Sequence, residues 1–97
     1  MIRHTALFRW TDEATGEQKQ RVAAELARLP ALVASLRAYQ FGSDLGLNPG
    51  NFDFAVTADF DDLPGYLAYR DHPEHQEILA AFIRPIIAQR AAVQYEL

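Results

Sequence analysis

The sequence contains no cysteine, no long apolar run and no surplus of basic residues. Without cysteine the chain has no disulfide, no thiolate nucleophile and no iron–sulfur ligand, which agrees with a cytoplasmic location. No stretch approaches the roughly 20 apolar residues that span a bilayer. Arg3, His4 and Arg9 interrupt the N-terminus where a signal peptide needs its apolar segment. We therefore expect a cytoplasmic protein with no membrane partner.

The charge balance argues against a nucleic-acid partner. The nine Lys and Arg residues are scattered among 13 acidic residues, and the formal net charge is -4 at pH 7. Phosphate neutralisation needs clustered basic side chains instead. The sequence also lacks a Gly-rich phosphate-binding loop and a nucleophile-elbow serine. It therefore predicts neither a nucleic-acid partner nor a cofactor.

The chain length limits the size of the core. With 97 residues, 49% of them hydrophobic, residues 1–97 are expected to form one small domain. A chain this short buries a smaller fraction of its surface than a larger protein does. Self-association would offset that deficit, so we expect a homo-oligomer.

Hydrophobic periodicity predicts seven elements in the order β-α-β-β-α-α-β. The predicted strands are 2–10, 37–45, 52–60 and 91–97, and the predicted helices are 15–29, 62–70 and a helix starting at Pro73. Pro30 is expected to end the first helix. This order indicates a ferredoxin-like α+β fold, in which a four-stranded antiparallel sheet of order 4-1-3-2 carries its helices on one face.

The charged and the apolar side chains favour the same register for the first and third strands. In this register the residue numbers of each pair add up to 62. The predicted pairs are Arg3–Asp59, Thr5–Thr57 and Arg9–Asp53 on one face, and Ala6–Val56 and Phe8–Phe54 on the other. The apolar face is expected to receive the helices. The charged face would then contact either water or the sheet of a second copy.

The segment from Tyr69 to His75 holds the residues best suited to proton transfer. Proline fits the first turn of a helix, so Pro73 predicts a helix start. His75 then lies at the polar end of an apolar stripe, where a neutral imidazole can exchange protons near physiological pH. The alternative is a histidine that only helps to terminate the helix. His72 is expected to cap the helix or to face solvent.

A metal site is a further alternative, because His72 and His75 lie three residues apart and His4 is a third candidate ligand. Pro73 lies between the two, however, and turns the first away from the helix face. No acidic residue has an evident claim to complete a tetrahedral or facial-triad site. The sequence therefore predicts no metal.

Several fragments together resemble the stress-responsive A/B barrel domain (Dabb) family over essentially the full length. They are Ile2-Arg3-His4, the strand 52–60 ending in Asp-Phe-Asp-Asp, Tyr69 before His72-Pro73-Glu74-His75, Arg84-Pro85, and Val93-Gln94-Tyr95-Glu96. The resemblance implies a ferredoxin-like protomer that dimerises into an α+β barrel. The family includes plant stress proteins without an assigned reaction and a plant polyketide cyclase, olivetolic acid cyclase, so it fixes the fold better than the function.

The resemblance to the cyclase implies an acid–base pair in which His75 and Tyr69 are the catalytic residues. His75 would remove a proton from a bound carbonyl compound, and Tyr69 would orient it or stabilise the enolate oxygen. His4 matches a further pocket histidine, although it could equally be a buried histidine satisfied by a neighbouring carbonyl. The residues expected to bind the substrate are His4, Ala6, Phe8, Val22, Leu26, Val56 and Leu79. Val22 and Leu26 lie where the cyclase has large aromatics, which leaves the substrate open.

Two main functions follow from these residues, and they leave open whether the protein is an enzyme. The first is a cofactor-independent lyase or cyclase acting on a small carbonyl or polyketide-like compound. The second is a non-catalytic, stress-associated dimer that binds a small apolar ligand or has a structural role. A cofactor-free monooxygenase is a third possibility, for which no residue marks an oxygen-activating site. In each case the expected partners are a second copy of the chain and a small apolar or carbonyl ligand.

Overall fold

The computed structural model describes residues 1–97, which form one four-stranded antiparallel sheet with helices against one face. The strands are β1 (Ile2–Trp10), β2 (Ala38–Ser43), β3 (Phe54–Phe60) and β4 (Ile87–Glu96). They lie in the order β2-β3-β1-β4, so β1 and β3 are central and β4 is an edge strand. The predicted ferredoxin-like α+β fold and its strand order are confirmed.

The helices differ from the prediction mainly near Pro30. They are α1 (Gly16–Leu26), α2 (Leu29–Leu32), α3 (Leu63–Arg70) and α4 (Pro73–Ile78), followed by a π-helical turn (Leu79–Ile83) and a 3₁₀ turn (Arg84–Ile86). Thr15 caps α1 in a reciprocal capping box with Gln18. Pro30 does not end α1. It lies in the first turn of the short α2, where a missing N–H costs no hydrogen bond.

The predicted register of β1 and β3 is confirmed from Arg3–Asp59 to Phe8–Phe54. Arg3 donates two hydrogen bonds to the Asp59 carboxylate, from Nε at 2.8 Å and from Nη2 at 2.9 Å. The pair lies on the face away from the helices, and the fork geometry makes it directional. A slip by one residue would break this pair and would also turn the apolar side chains out of the core.

The predicted Arg9–Asp53 pair is wrong, because the ladder ends at Phe8–Phe54. The Asp53 carboxylate accepts a hydrogen bond from the Trp10 backbone N–H at 2.8 Å. The Arg9 guanidinium instead donates to the backbone carbonyls of Gly50 and Asn51 and lies 4.4 Å over the Phe52 ring. The chain entering β3 bends before the charged side chains can meet.

The last strand begins four residues earlier than predicted, at Ile87 instead of Ala91. The helical segment ends with the 3₁₀ turn that contains Pro85, and the residues after that turn pair with β1 as far as Trp10–Ile87. The register shifts between Arg9–Gln89 and Trp10–Ile87, which leaves Ala88 as an extra residue in a β-bulge. The segment 87–90 is therefore strand backbone beside the core and not the end of a helix.

The core lies between the sheet and the helices. Its fully buried side chains include Val22, Leu26, Leu29, Phe60, Ile78 and Ile83. The other face of the sheet carries half-buried Arg3, Thr5 and Leu7 together with exposed Val93 and Tyr95. Among the helices, none combines the length and apolar character that crossing a bilayer requires.

We predict that Phe60→Ala lowers the free energy of unfolding by about 3–5 kcal/mol, because it opens a cavity where the ring is fully buried. Leu45→Ala is the control, since this leucine is 83% exposed and its truncation should change stability by less than about 0.5 kcal/mol. Urea unfolding at one fixed protein concentration measures both. Equal losses for the two variants would contradict the core described above.

Candidate active site

His75 lies in the first turn of α4, and the local sequence fixes its position. His72 is the N-cap residue of α4, because its Nδ1 accepts a hydrogen bond from the Glu74 backbone N–H at 3.1 Å. This confirms the structural role predicted for His72. His75 is 8% exposed, and its Nδ1 lies 3.0 Å from the Arg70 carbonyl oxygen. A carbonyl only accepts, so Nδ1 carries the ring proton and Nε2 keeps a free lone pair.

The His75 imidazole is held in its neutral form. Burial lowers its pKa most, and the hydrogen bond to the Arg70 carbonyl offsets part of that effect. The positive charge of Arg90 and, to a smaller extent, that of Arg84 lower the pKa further. At neutral pH the ring is therefore unprotonated at Nε2. That nitrogen is a ready proton acceptor.

Tyr69 lies beside His75, in the last turn of α3. The two ring centroids are 4.2 Å apart at an interplanar angle of 34°, and Tyr69 is only 3% exposed. Phe60 supports the tyrosine from the sheet side, with ring centroids 5.2 Å apart. Burial raises the pKa of the Tyr69 phenol, so the hydroxyl stays protonated at neutral pH and can donate a hydrogen bond.

His4 approaches the same place from β1. It is buried, as one of the two interpretations expected, but its partner is a side-chain amide and not a carbonyl. Gln94 Nε2 lies 2.9 Å from His4 Nδ1, and an amide nitrogen only donates, so the proton of His4 lies on Nε2. Burial, then the charge of Arg90, lowers the pKa of His4 to about 4. His4 is therefore a neutral donor where His75 is a neutral acceptor.

These three residues line one cavity of about 370 Å³ between the sheet and the last helical segment. All the residues expected to bind substrate line it except Val22: His4, Ala6, Phe8, Leu26, Val56 and Leu79. Val22 is fully buried in the core and lies outside the lining. The cavity thus combines the candidate acid–base groups with an apolar wall, as ligand sites commonly do.

Sequence reasoning missed one side of the cavity. The residues it did not name are Ile83, Arg84, Ile87, Ala88, Gln89 and Arg90. Residues 87–90 were missed because the last strand is predicted to begin only at Ala91, and Ile83 and Arg84 because they lie in irregular helical turns. Extending the last strand along the whole of the first would have placed Arg90 beside this cavity, since Arg90 pairs with Phe8.

No group of three or more His, Cys, Asp or Glu side chains is placed to hold a metal ion. His72 and His75 in particular do not act together. The Nδ1 of His72 caps the helix, and the Nδ1 of His75 bonds a carbonyl of the preceding helix.

Comparison with protein families identifies the family to which the chain belongs. The model of the stress responsive A/B barrel domain, Dabb, matches residues 2–97. The chain therefore belongs to the Dabb family. A comparison with curated proteins gives no match.

Solved structures show the same fold. A dimeric ferredoxin-like protein of unknown function from Thermobifida fusca is 52% identical, with a TM-score of 0.92 over 99% of this chain and 90% of that one. A dimeric protein of unknown function from Bacteroides fragilis is 31% identical, with a TM-score of 0.77 over 99% and 95%. Hydroxynitrile lyase from Passiflora edulis is 19% identical, with a TM-score of 0.84 over 97% and 90%, a likeness that shows the fold alone.

We predict opposite tautomers for the two buried histidines at pH 7, with the proton on Nε2 in His4 and on Nδ1 in His75. Imidazole ¹⁵N shifts from NMR distinguish the two forms. In a pH titration His4 should protonate near pH 4 and His75 below the value of free imidazole. Gln94→Ala should weaken the preference of His4 for the Nε2–H tautomer and leave the tautomer of His75 unchanged. The same tautomer in both rings would contradict this arrangement.

Proposed function

We propose that the protein is a cofactor-independent acid–base enzyme of the lyase or cyclase type, acting on a small carbonyl compound. One observation carries the proposal: two buried, neutral imidazoles of opposite hydrogen-bonding character line the same cavity, with a protonated phenol beside them. A base, a hydrogen-bond donor and an apolar binding wall are the parts that removal of a proton next to a carbonyl requires.

In the proposed reaction, Nε2 of His75 accepts a proton from the carbon next to the carbonyl or from a hydroxyl group. When the proton comes from carbon, the electron pair left behind moves onto the carbonyl oxygen; when it comes from a hydroxyl group, the pair stays on the hydroxyl oxygen. The Tyr69 hydroxyl and the Nε2–H of His4 donate hydrogen bonds to that oxygen as it gains negative charge. General-base assistance contributes typically about 10²- to 10⁴-fold, and one oxyanion donor about 10²- to 10³-fold.

A structural relative supports the reaction class in general terms. Hydroxynitrile lyase from Passiflora edulis has this fold, so the fold accommodates a lyase. Function depends on the residues of the site and not on the fold, and at 19% identity the relative identifies no substrate for this chain. The proposal therefore depends on His75, Tyr69 and His4 themselves.

A binding protein without turnover is the second candidate. The His72 imidazole caps α4 and the His75 imidazole joins α4 to α3, so both also have a structural role. In that case the cavity would hold a small apolar ligand and no proton transfer would follow. The cytoplasmic location inferred from the sequence stays a prediction.

We also propose that the protein is a homodimer joined through the open face of the sheet. Val93 and Tyr95 are 55% and 46% exposed on that face, beside half-buried Thr5 and Leu7. Relatives of 52% and 31% identity are described as dimeric. Burial of this face against its copy would complete the α+β barrel that the resemblance implies.

The proposed dimer interface can be tested by introducing one charged residue into it. Val93→Asp should convert the dimer to monomers in sedimentation velocity, because an unpaired carboxylate is costly to bury. Leu63→Asp is the matched control, since Leu63 is 56% exposed on the helix side and should leave the dimer intact. A dimer that survives Val93→Asp would place the interface elsewhere.

Proton abstraction can be tested without knowing the substrate. In D₂O the enzyme should exchange α-hydrogens of suitable small ketones and oxo acids, as followed by ¹H NMR. His75→Ala should slow this exchange by about 10²- to 10⁴-fold. His72→Asn is the control, because asparagine also caps helices and His72 does not line the cavity. Exchange at the wild-type rate in His75→Ala would exclude His75 as the base.

At substrate concentrations well below saturation, the exchange rate should also report the lowered pKa of His75 in the ligand-free enzyme. Only the neutral imidazole accepts a proton, so the rate falls as pH drops through that pKa. Because burial and the neighbouring arginines lower it, activity should persist at pH 6, where free imidazole is already largely protonated. A rate that halves near pH 6.5 would contradict the site electrostatics described above.

A further inference from the structure

Arg84 and Arg90 differ from most of the other arginines because they have no acidic partner. The arginines that form ion pairs with Asp or Glu are Arg3, Arg21, Arg28, Arg37 and Arg70. Arg9 is satisfied by two backbone carbonyls and the Phe52 ring. Arg84 and Arg90 have no such contact, and both line the cavity that holds His75.

The cavity has no negative charge of its own. None of its lining residues is Asp or Glu, and its two imidazoles and its phenol are neutral at pH 7. The site is therefore cationic in a protein whose formal net charge is -4. Two guanidinium groups at one cavity without a counter-charge favour the entry of an anion.

The backbone directs both arginines to this cavity. Arg90 pairs with Phe8, and both residues line the cavity wall. Arg84 begins the 3₁₀ turn directly after the π-helical turn 79–83. The bulge at Ala88 separates the two arginines, and bulges often re-aim side chains beside functional sites. Both arginines line the cavity and are exposed, so a ligand that enters from solvent can meet them.

The charges of Arg84 and Arg90 also oppose proton transfer to His75 unless a charge on the substrate offsets them. When His75 accepts a proton it becomes an imidazolium, and Arg84 and Arg90 already disfavour that cation. An anionic group bound to the arginines would cancel much of their field and restore the basicity of His75. Binding the anion and removing the proton would then be linked through one local charge balance.

We propose that the substrate carries a carboxylate that Arg84 and Arg90 bind, which makes it an oxo acid and not a neutral ketone. This rests on the proposed function and specifies its substrate class. The guanidinium fork matches a carboxylate in bidentate geometry. A carboxylate is favoured over a phosphate because most of the lining is apolar and no Gly-rich loop offers backbone N–H groups.

The test measures binding, so it does not depend on turnover. Calorimetric titration compares phenylpyruvate and 4-phenyl-2-oxobutanoate, which both carry hydrogens next to the ketone, with their methyl esters, and phenyl phosphate serves as the alternative anion. At least one acid should bind more tightly than its ester to the wild-type protein. Arg84→Gln and Arg90→Gln should each raise the dissociation constant of that acid by about tenfold and leave the dissociation constant of its ester unchanged. Lys19→Gln removes one exposed charge outside the cavity and is the control.

The outcomes separate this inference from the proposed function. His75→Ala should keep the preference for acid over ester while losing α-hydrogen exchange, since the base does not hold the carboxylate. If no acid binds better than its ester, or if phenyl phosphate binds better than every acid, the inference is wrong even where exchange depends on His75. An acid preference that survives Arg84→Gln, Arg90→Gln and the double variant would also overturn it.

Discussion

The site depends on the pairing of β1 with a neighbour on each side. β1 pairs with β3 and β4 along nearly its whole length, which fixes the side chains that face the helices. In this register His4 lies opposite Gln94, whose amide sets the tautomer of the imidazole. A slip by one residue would move His4 to the open face of the sheet. The forked Arg3–Asp59 pair on that face and the aromatic core on the other favour the same alignment.

The chemistry of the site comes from hydrogen bonds that are not themselves part of the cavity. His75 owes its free Nε2 to a carbonyl at the end of α3, and His4 owes its Nε2–H to an amide on the edge strand. Burial then keeps both rings neutral. Two residues of one type thereby acquire opposite hydrogen-bonding character because their neighbours differ.

Much of this arrangement could be predicted from sequence, because alternation and helix caps are local signals. The strand order, the pairing of Arg3 with Asp59, the helix start at Pro73 and the capping role of His72 all follow from residues close together or strictly periodic. Tyr69 and His75 were singled out from the same segment and line one cavity. Local sequence patterns are thus sufficient to predict the structure where the strands and helices are regular.

The remainder depends on tertiary context. Whether Pro30 ends one helix or begins another depends on how α2 packs, and Arg9 finds carbonyls because the chain bends before β3. Arg84 and Arg90 lie in a stretch where a π-helical turn, a 3₁₀ turn and a bulged strand follow each other within twelve residues or so. No single period describes such a stretch, so its side chains could not be assigned to a face.

The hydrogen bond from His75 to the Arg70 carbonyl has a consequence for how members of such a family diverge. The bond spans the turn between α3 and α4, and neither the turn nor Arg70 lines the cavity. A substitution that lengthens the turn would release Nδ1 and let the proton move between the two nitrogens. Reactivity would then change while every residue of the cavity wall stayed the same. Two proteins with identical pockets can thus differ in chemistry, and comparison of pocket residues alone would miss the difference.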